Sequence, residues 1–104
     1  MMFAQRLEKQ VAQDLLRHCL ELGSVIKTKH YRDELGAEEL EDTDAAWVLR
    51  MGTVYDEPEH DVRSGKWRYR VEGRTPSGVW LGIIFAFDSQ DDVVLITAFS
   101  VRER

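Results

Sequence analysis

From residue 66 to residue 72 the chain alternates without a break, setting Trp67, Tyr69 and Val71 against Arg68, Arg70 and Glu72. A period of two puts the apolar side chains on one side of an extended strand and the charged ones on the other, the pattern of an antiparallel strand with one covered face. A helix would scatter the same residues around its circumference. The stretch therefore demands a sheet with a core beneath it and a charged surface above.

The neighbouring sequence supplies the rest of that sheet. Arg74-Thr75-Pro76-Ser77-Gly78 is a turn, Val79 to Phe87 a nearly continuous apolar strand suited to the sheet centre, Asp88 to Asp92 a second turn and Val93 to Val101 a last strand. Thr53 to Asp56 reads as a further strand ended near Pro58. The segment before Gly52 has helical spacing. Phe3, Leu7, Val11, Leu15 and Leu22 form a stripe that Ala4, Ala12, Cys19 and Leu20 widen, and Gly23 caps its end. Ser24 to Lys29 is β-branched enough for a short first strand. A broken helix follows through Tyr31, Leu35 and Leu40, and a better one starts at Asp42 or Thr43 and ends at Met51. Its Ala45, Val48, Leu49 and Met51, with Trp47, can cover a sheet face.

Chain length and composition agree with a single α+β domain. With 104 residues, 43% hydrophobic, there is material for one core and no second. No apolar run is long enough to span a bilayer, no N-terminal stretch has the form of a signal peptide, and the lone Cys19 has no partner within the chain. The expected setting is the cytoplasm. The net charge of −5 is concentrated: residues 31–61 hold two Lys/Arg against eleven Asp/Glu. Both flanks are mildly basic.

Thr28-Lys29-His30 followed by Leu35, Leu40, Asp44, Val48, Leu49, Gly52 and Val54, then Trp67 to Gly73, Gly78, Ile83, Phe87 and Val94-Leu95-Ile96-Thr97 resembles an uncharacterised bacterial family, domain of unknown function 4258. The likeness covers about residues 25–100. That family is similar to the RelE/BrnT-like toxins, and the resemblance implies helices packed on one face of an antiparallel β-meander, with RNA-cleaving or target-binding residues on the other. It makes residues 1–23 an added N-terminal helix on a RelE-like core of residues 24–104. It implies a metal-independent ribonuclease needing no cofactor, with RNA and an antitoxin-like protein as partners. The chain departs from the family pattern at Glu34 and Glu38, where basic residues are expected, and at Glu39, where glycine is usual.

Such cleavage needs a base for the 2′-hydroxyl, an acid for the leaving oxygen and cations at the phosphate. His30, where the family histidine falls, is a candidate acid or base; its other reading is a ring bonded to a backbone carbonyl. Arg68, Arg70 and Glu72 could lie along a phosphate backbone, or form a solvated sheet face with ion pairs. Lys27, Lys29, Arg74 and Arg102 could extend an RNA-binding surface if strand register brings them together. Trp47, Trp67 and Trp80 read as packing or as base-stacking platforms. His18, Cys19 and His60 show no metal spacing, and no serine or glycine motif of a hydrolase or nucleotide site is present. A non-catalytic alternative uses the acidic segment as a docking face for a basic partner. The N-terminal helix either closes this core or pairs with its copy in a homodimer.

Overall fold

The computed structural model describes residues 5–101. Three helices, α1 (Lys9–Leu22), α2 (Lys29–Ala37) and α3 (Asp42–Met51), pack on a sheet of β1 (Ser24–Lys27), β2 (Thr53–Val54), β3 (Glu59–His60), β4 (Trp67–Arg74), β5 (Trp80–Ser89) and β6 (Asp92–Ser100). The order is β1-β6-β5-β4-β2, with β3 also on β4. This is the expected α+β fold, its C-terminal half an antiparallel meander of β4, β5 and β6. One pairing makes the sheet mixed: β1 lies parallel to β6, Ser24 opposite Asp92 and Lys27 opposite Leu95. Among the described residues no helix is long and apolar enough to cross a membrane.

The alternation in β4 holds from Arg68 to Val71, and Glu72 departs from it in being buried. Tyr69 and Val71 are buried against the helices, and Arg68 is exposed on the other face. Leu81, Ile83, Phe85 and Phe87 of β5 join them in the core. Between Ile84 and Phe85 the register with β6 slips: Ile84 faces Thr97 and Phe85 faces Leu95, so Ile96 is the extra residue. This bulge shifts the parity of β6, which lets Leu95 and Ala98, three apart, both turn inward.

The helices differ in detail from the expectations. Phe3 lies outside the described residues, and α1 starts only at Lys9. Its buried positions are Ala12, Leu16 and Cys19, while Val11 and Leu22 are 48% and 78% exposed. The small side chains at 12 and 19 let the helix come close to the sheet, so Leu7, Leu15 and Leu20 pack at the margin of the core and Val11 and Leu22 turn away. Lys29 begins α2 and does not end β1. Thr28 is the joint: its hydroxyl accepts from Tyr31 N–H at 3.1 Å and donates to the Leu95 and Ile96 carbonyls at 2.9 and 3.2 Å. The N-cap of α3 is Glu41, one residue before the expected candidates, because Asp44 completes a capping box with it. Trp47 and Met51 of α3 are exposed, and Ala45, Val48 and Leu49 carry its contact. The strand expected over Thr53 to Asp56 stops at Val54, and β3 has no signal in the sequence.

Glu39 has φ 58°, the one positive φ among the described non-glycine residues. Its N–H donates to Gly36 C=O and Leu40 N–H donates to Leu35 C=O, at 2.9 and 3.1 Å, the two bonds of a Schellman C-cap that glycine fills most easily. The left-handed conformation costs a side chain about 1–2 kcal/mol, partly offset by the smaller chain entropy of a non-glycine residue. Glu39→Gly is expected to raise stability by about 0.5–1 kcal/mol in a urea melt; a loss would mean that the glutamate side chain stabilises the turn.

Candidate functional site

The face of the sheet away from the helices carries the charged half of β4. Arg70 sits opposite Ile84, Glu72 opposite Gly82 and Arg74 opposite Trp80, and on β6 Thr97 and Phe99 continue the first two rows. Gly82 is the opening in this surface. A Cβ there would fall 2.7 Å from Cζ of Phe99, so its absence lets the Phe99 ring lie across the strand. The Arg70 guanidinium stacks over that ring, 4.8 Å from its centroid.

Glu72 holds the arrangement together from below. Its side chain is fully buried, its Oε2 accepts from Arg70 Nε at 2.6 Å and its Oε1 accepts from Trp80 Nε1 at 2.9 Å. A buried carboxylate is tolerated only when paired and hydrogen-bonded, and here a guanidinium and an indole do both. The consequence for chemistry is direct. With both oxygens engaged, Glu72 orients Arg70 and is not poised to take a proton from a ligand.

Carboxylates from the loop before β4 edge this face. Asp56 lies 3.9 Å from Arg70 Nε, and Asp61 accepts from Arg68 Nη2 at 3.2 Å. Asp61 also accepts from Ser64 Oγ and Arg63 N–H, at 2.9 and 3.2 Å. The Ser64 hydrogen bond above all, then the Arg63 amide and the Arg68 charge, hold its carboxyl below the usual range. Lys66 pairs with Asp88. Between the loop and the strands is a cleft of about 250 Å³ whose lining includes Glu57, Glu59, Arg68, Arg70, Ile84 and Thr97. It offers two guanidiniums, an apolar floor and an acidic rim.

The other candidate residues lie elsewhere. His30 is exposed in the first turn of α2, its Nε2 3.8 Å from Glu34 of the same helix. Lys29 is 89% exposed and pairs with Asp33 at 2.6 Å. Lys27 reaches Asp42 of α3 at 3.5 Å. Arg74 is exposed on β4, 6.0 Å above the Trp80 ring, and Arg102 lies outside the described residues. The structure thus gathers Arg68, Arg70 and Glu72, adds Arg74 at the end of the same strand, and gives His30, Lys27 and Lys29 partners on the helices. Trp80 serves as packing and as a hydrogen-bond donor. Phe99 and Asp56 were not foreseen. The lone glycine in the apolar run of β5 was the available signal for Phe99, since an interior-strand glycine marks a close approach. Among the described residues no group of three or more His, Cys, Asp or Glu is placed to hold a metal ion.

Residues 5–100 match a family model described as Domain of unknown function (DUF4258). No curated protein and no solved structure matches the chain.

Proposed function

The chain belongs to the DUF4258 family, and from that premise we propose that it is a RelE/BrnT-like toxin-superfamily protein that works by binding a partner protein and does not cut RNA. One observation carries this reading: the cations around the cleft are already paired with carboxylates, while Arg74, at the far end of β4, rests over the Trp80 ring. Lys66, Arg68 and Arg70 each meet a carboxylate of Asp88, Asp61 or Glu72, and Glu59 adds negative charge to the cleft beside Glu57, which Arg6 and Lys9 hold. RNA binding depends on cations free to replace counterions at phosphates, and guanidiniums already paired with carboxylates supply little of that. His30 has no contact with the arginine face to complete an acid–base set.

The partner is a basic protein, of the kind an antitoxin-like segment would present. The chemistry that recognises it is the acidic run of residues 31–61, eleven carboxylates against two cations, with Asp33 and Asp42 exposed on the helices, Glu39 and Glu41 exposed between them and Asp56, Glu57 and Glu59 exposed beside the cleft. Complementary charge of this kind sets specificity and association rate. Purified protein is expected to leave RNA intact, and induction is expected to leave growth unaffected. Reversing Glu38, Glu39 and Glu41 to lysine is expected to weaken capture of a specific basic partner about tenfold or more. RNA cleavage abolished by Arg70→Ala would overturn the proposal and make the arginine face a ribonuclease site. Capture indifferent to the charge reversal would remove the acidic docking face.

A further inference from the structure

The sheet ends differently on its two sides. At the β4 side, β2 and β3 are two residues each, and the Val54 N–H donates to Gln13 Oε1 of α1 at 2.8 Å. That margin is blunted. At the other side β1 is the outermost strand. Its pairing with β6 uses the N–H groups of Ser24 and Thr28, which donate to Asp91 and Leu95 carbonyls at 2.8 and 3.2 Å. Strand alternation then turns the N–H and C=O of Val25 and Lys27 away from β6, toward the open edge. Between them Ile26 stands 44% exposed on the outer face.

We propose that β1 pairs with β1 of a second copy of this chain, antiparallel, about a two-fold axis through Ile26, so that the two sheets become one. The register and the exposed Ile26 at its centre suit this occupant. The outward groups sit at 25 and 27, symmetric about 26, so Val25 faces the partner's Lys27 and Lys27 faces the partner's Val25. All four N–H groups and all four carbonyls are then used reciprocally, as an isologous interface requires. Ile26 meets the partner's Ile26 as a non-hydrogen-bonded pair, the geometry in which cross-strand side chains lie closest. That contact covers the exposed isoleucine with an identical apolar side chain.

The helix side of β1 fits the same partner. A groove there includes Val25, Lys27, Tyr31, Asp42, Ala45 and Arg50 in its lining. Its polar residues carry both signs of charge, which a two-fold axis matches to themselves. Tyr31 is fully buried in it, and its hydroxyl is the one buried side-chain polar atom without a hydrogen-bond partner among the described residues. Cross-strand pairing sets the partner's Lys27 beside Val25 at the mouth of this groove, whose lining includes Asp42 as a carboxylate of opposite charge.

Sedimentation equilibrium of the full chain, from micromolar to millimolar concentration, is expected to give twice the 12.1 kDa chain mass. Val25→Pro deletes an outward N–H and none of those bonded to β6, a substitution that edge strands accept. Ile26→Glu sets like charges together at the axis. Each is expected to raise the dimer dissociation constant about tenfold or more with an unchanged far-ultraviolet spectrum. Under mild oxidation Ile26→Cys is expected to give a disulfide-linked dimer, and Ser24→Cys is not, because its cross-axis neighbour is Thr28. Cys19 does not compete, since burial first, then Asp91 and Asp92, push its thiol up to about 11. A monomer at millimolar concentration overturns the proposal, as does a dimer indifferent to Ile26→Glu or one in which Ile26→Cys stays uncrosslinked. Because Ile26 is exposed, those last two results stand even if Val25→Pro fails to fold.

Discussion

Phe85→Ala is expected to lower unfolding free energy by about 3–5 kcal/mol, read as a shift of the urea midpoint at unchanged slope. Phe85 is fully buried on β5. Its ring stacks on Tyr69 with centroids 5.6 Å apart and meets Phe87 edge-on at 5.5 Å, so truncation removes aromatic contacts as well as apolar burial. The cavity left behind cannot close easily. Tyr69 is anchored at its far end, where its hydroxyl accepts from Leu7 N–H at 2.9 Å, and Phe87 is fixed by the strand that carries it. A domain of this size has about 5–15 kcal/mol in all, so the variant should be marginal at room temperature. A loss below about 1.5 kcal/mol would show that the three rings do not pack as one unit.

Gly52→Ala should be nearly as damaging, for the opposite reason. A Cβ at 52 would stand 2.5 Å from the Val48 carbonyl oxygen and 2.7 Å from the Glu72 carbonyl oxygen. Both are backbone atoms, so no rotamer change relieves the clash. The turn is also tied down: Gly52 N–H donates to Val48 C=O at 2.7 Å, and Arg17 Nη2 donates to Gly52 C=O at 3.1 Å. To admit one methyl group, α3 must back away from β4 and loosen the core beneath it. The expected cost is about 3 kcal/mol or more, measured by thermal denaturation. Gly36→Ala is the matched control, since nothing lies within 4 Å of its Cβ position. Equal melting of the two variants would refute the close approach of helix and strand.

These two sites also mark what could be read from the residues. The inward turn of Tyr69 and the outward turn of Arg68 follow from local alternation, which needs no knowledge of neighbouring strands. The gathering of Arg68, Arg70 and Glu72 follows from the same period. Register is another matter. The register of β5 on β6 slips twice, between Ile84 and Phe85 and between Phe87 and Ser89, and no residue type announces either slip. The parallel seat of β1 on β6 joins segments separated by most of the chain, and its partner leaves no local trace in Ser24 to Lys27. On α1 the apolar residues were visible, but Ala12 and Cys19 outrank Val11 and Leu22 as core because closeness, and not hydrophobicity alone, decides which stripe is buried. His30 stands in the first turn of the helix that the Thr28 cap starts, one residue earlier than expected, and its contact there is Glu34 of the same helix.

The seat of β1 has a consequence for how the molecule is made. During synthesis Ser24 to Lys27 leave the ribosome long before the residues at 92–95 that will bind them, so this strand waits without a template while α2, α3 and the first hairpin appear. Joining such distant segments is the slow, entropy-costly kind of closure. The nascent chain should therefore stay sensitive to protease until β6 is out, and then lock in a single late step.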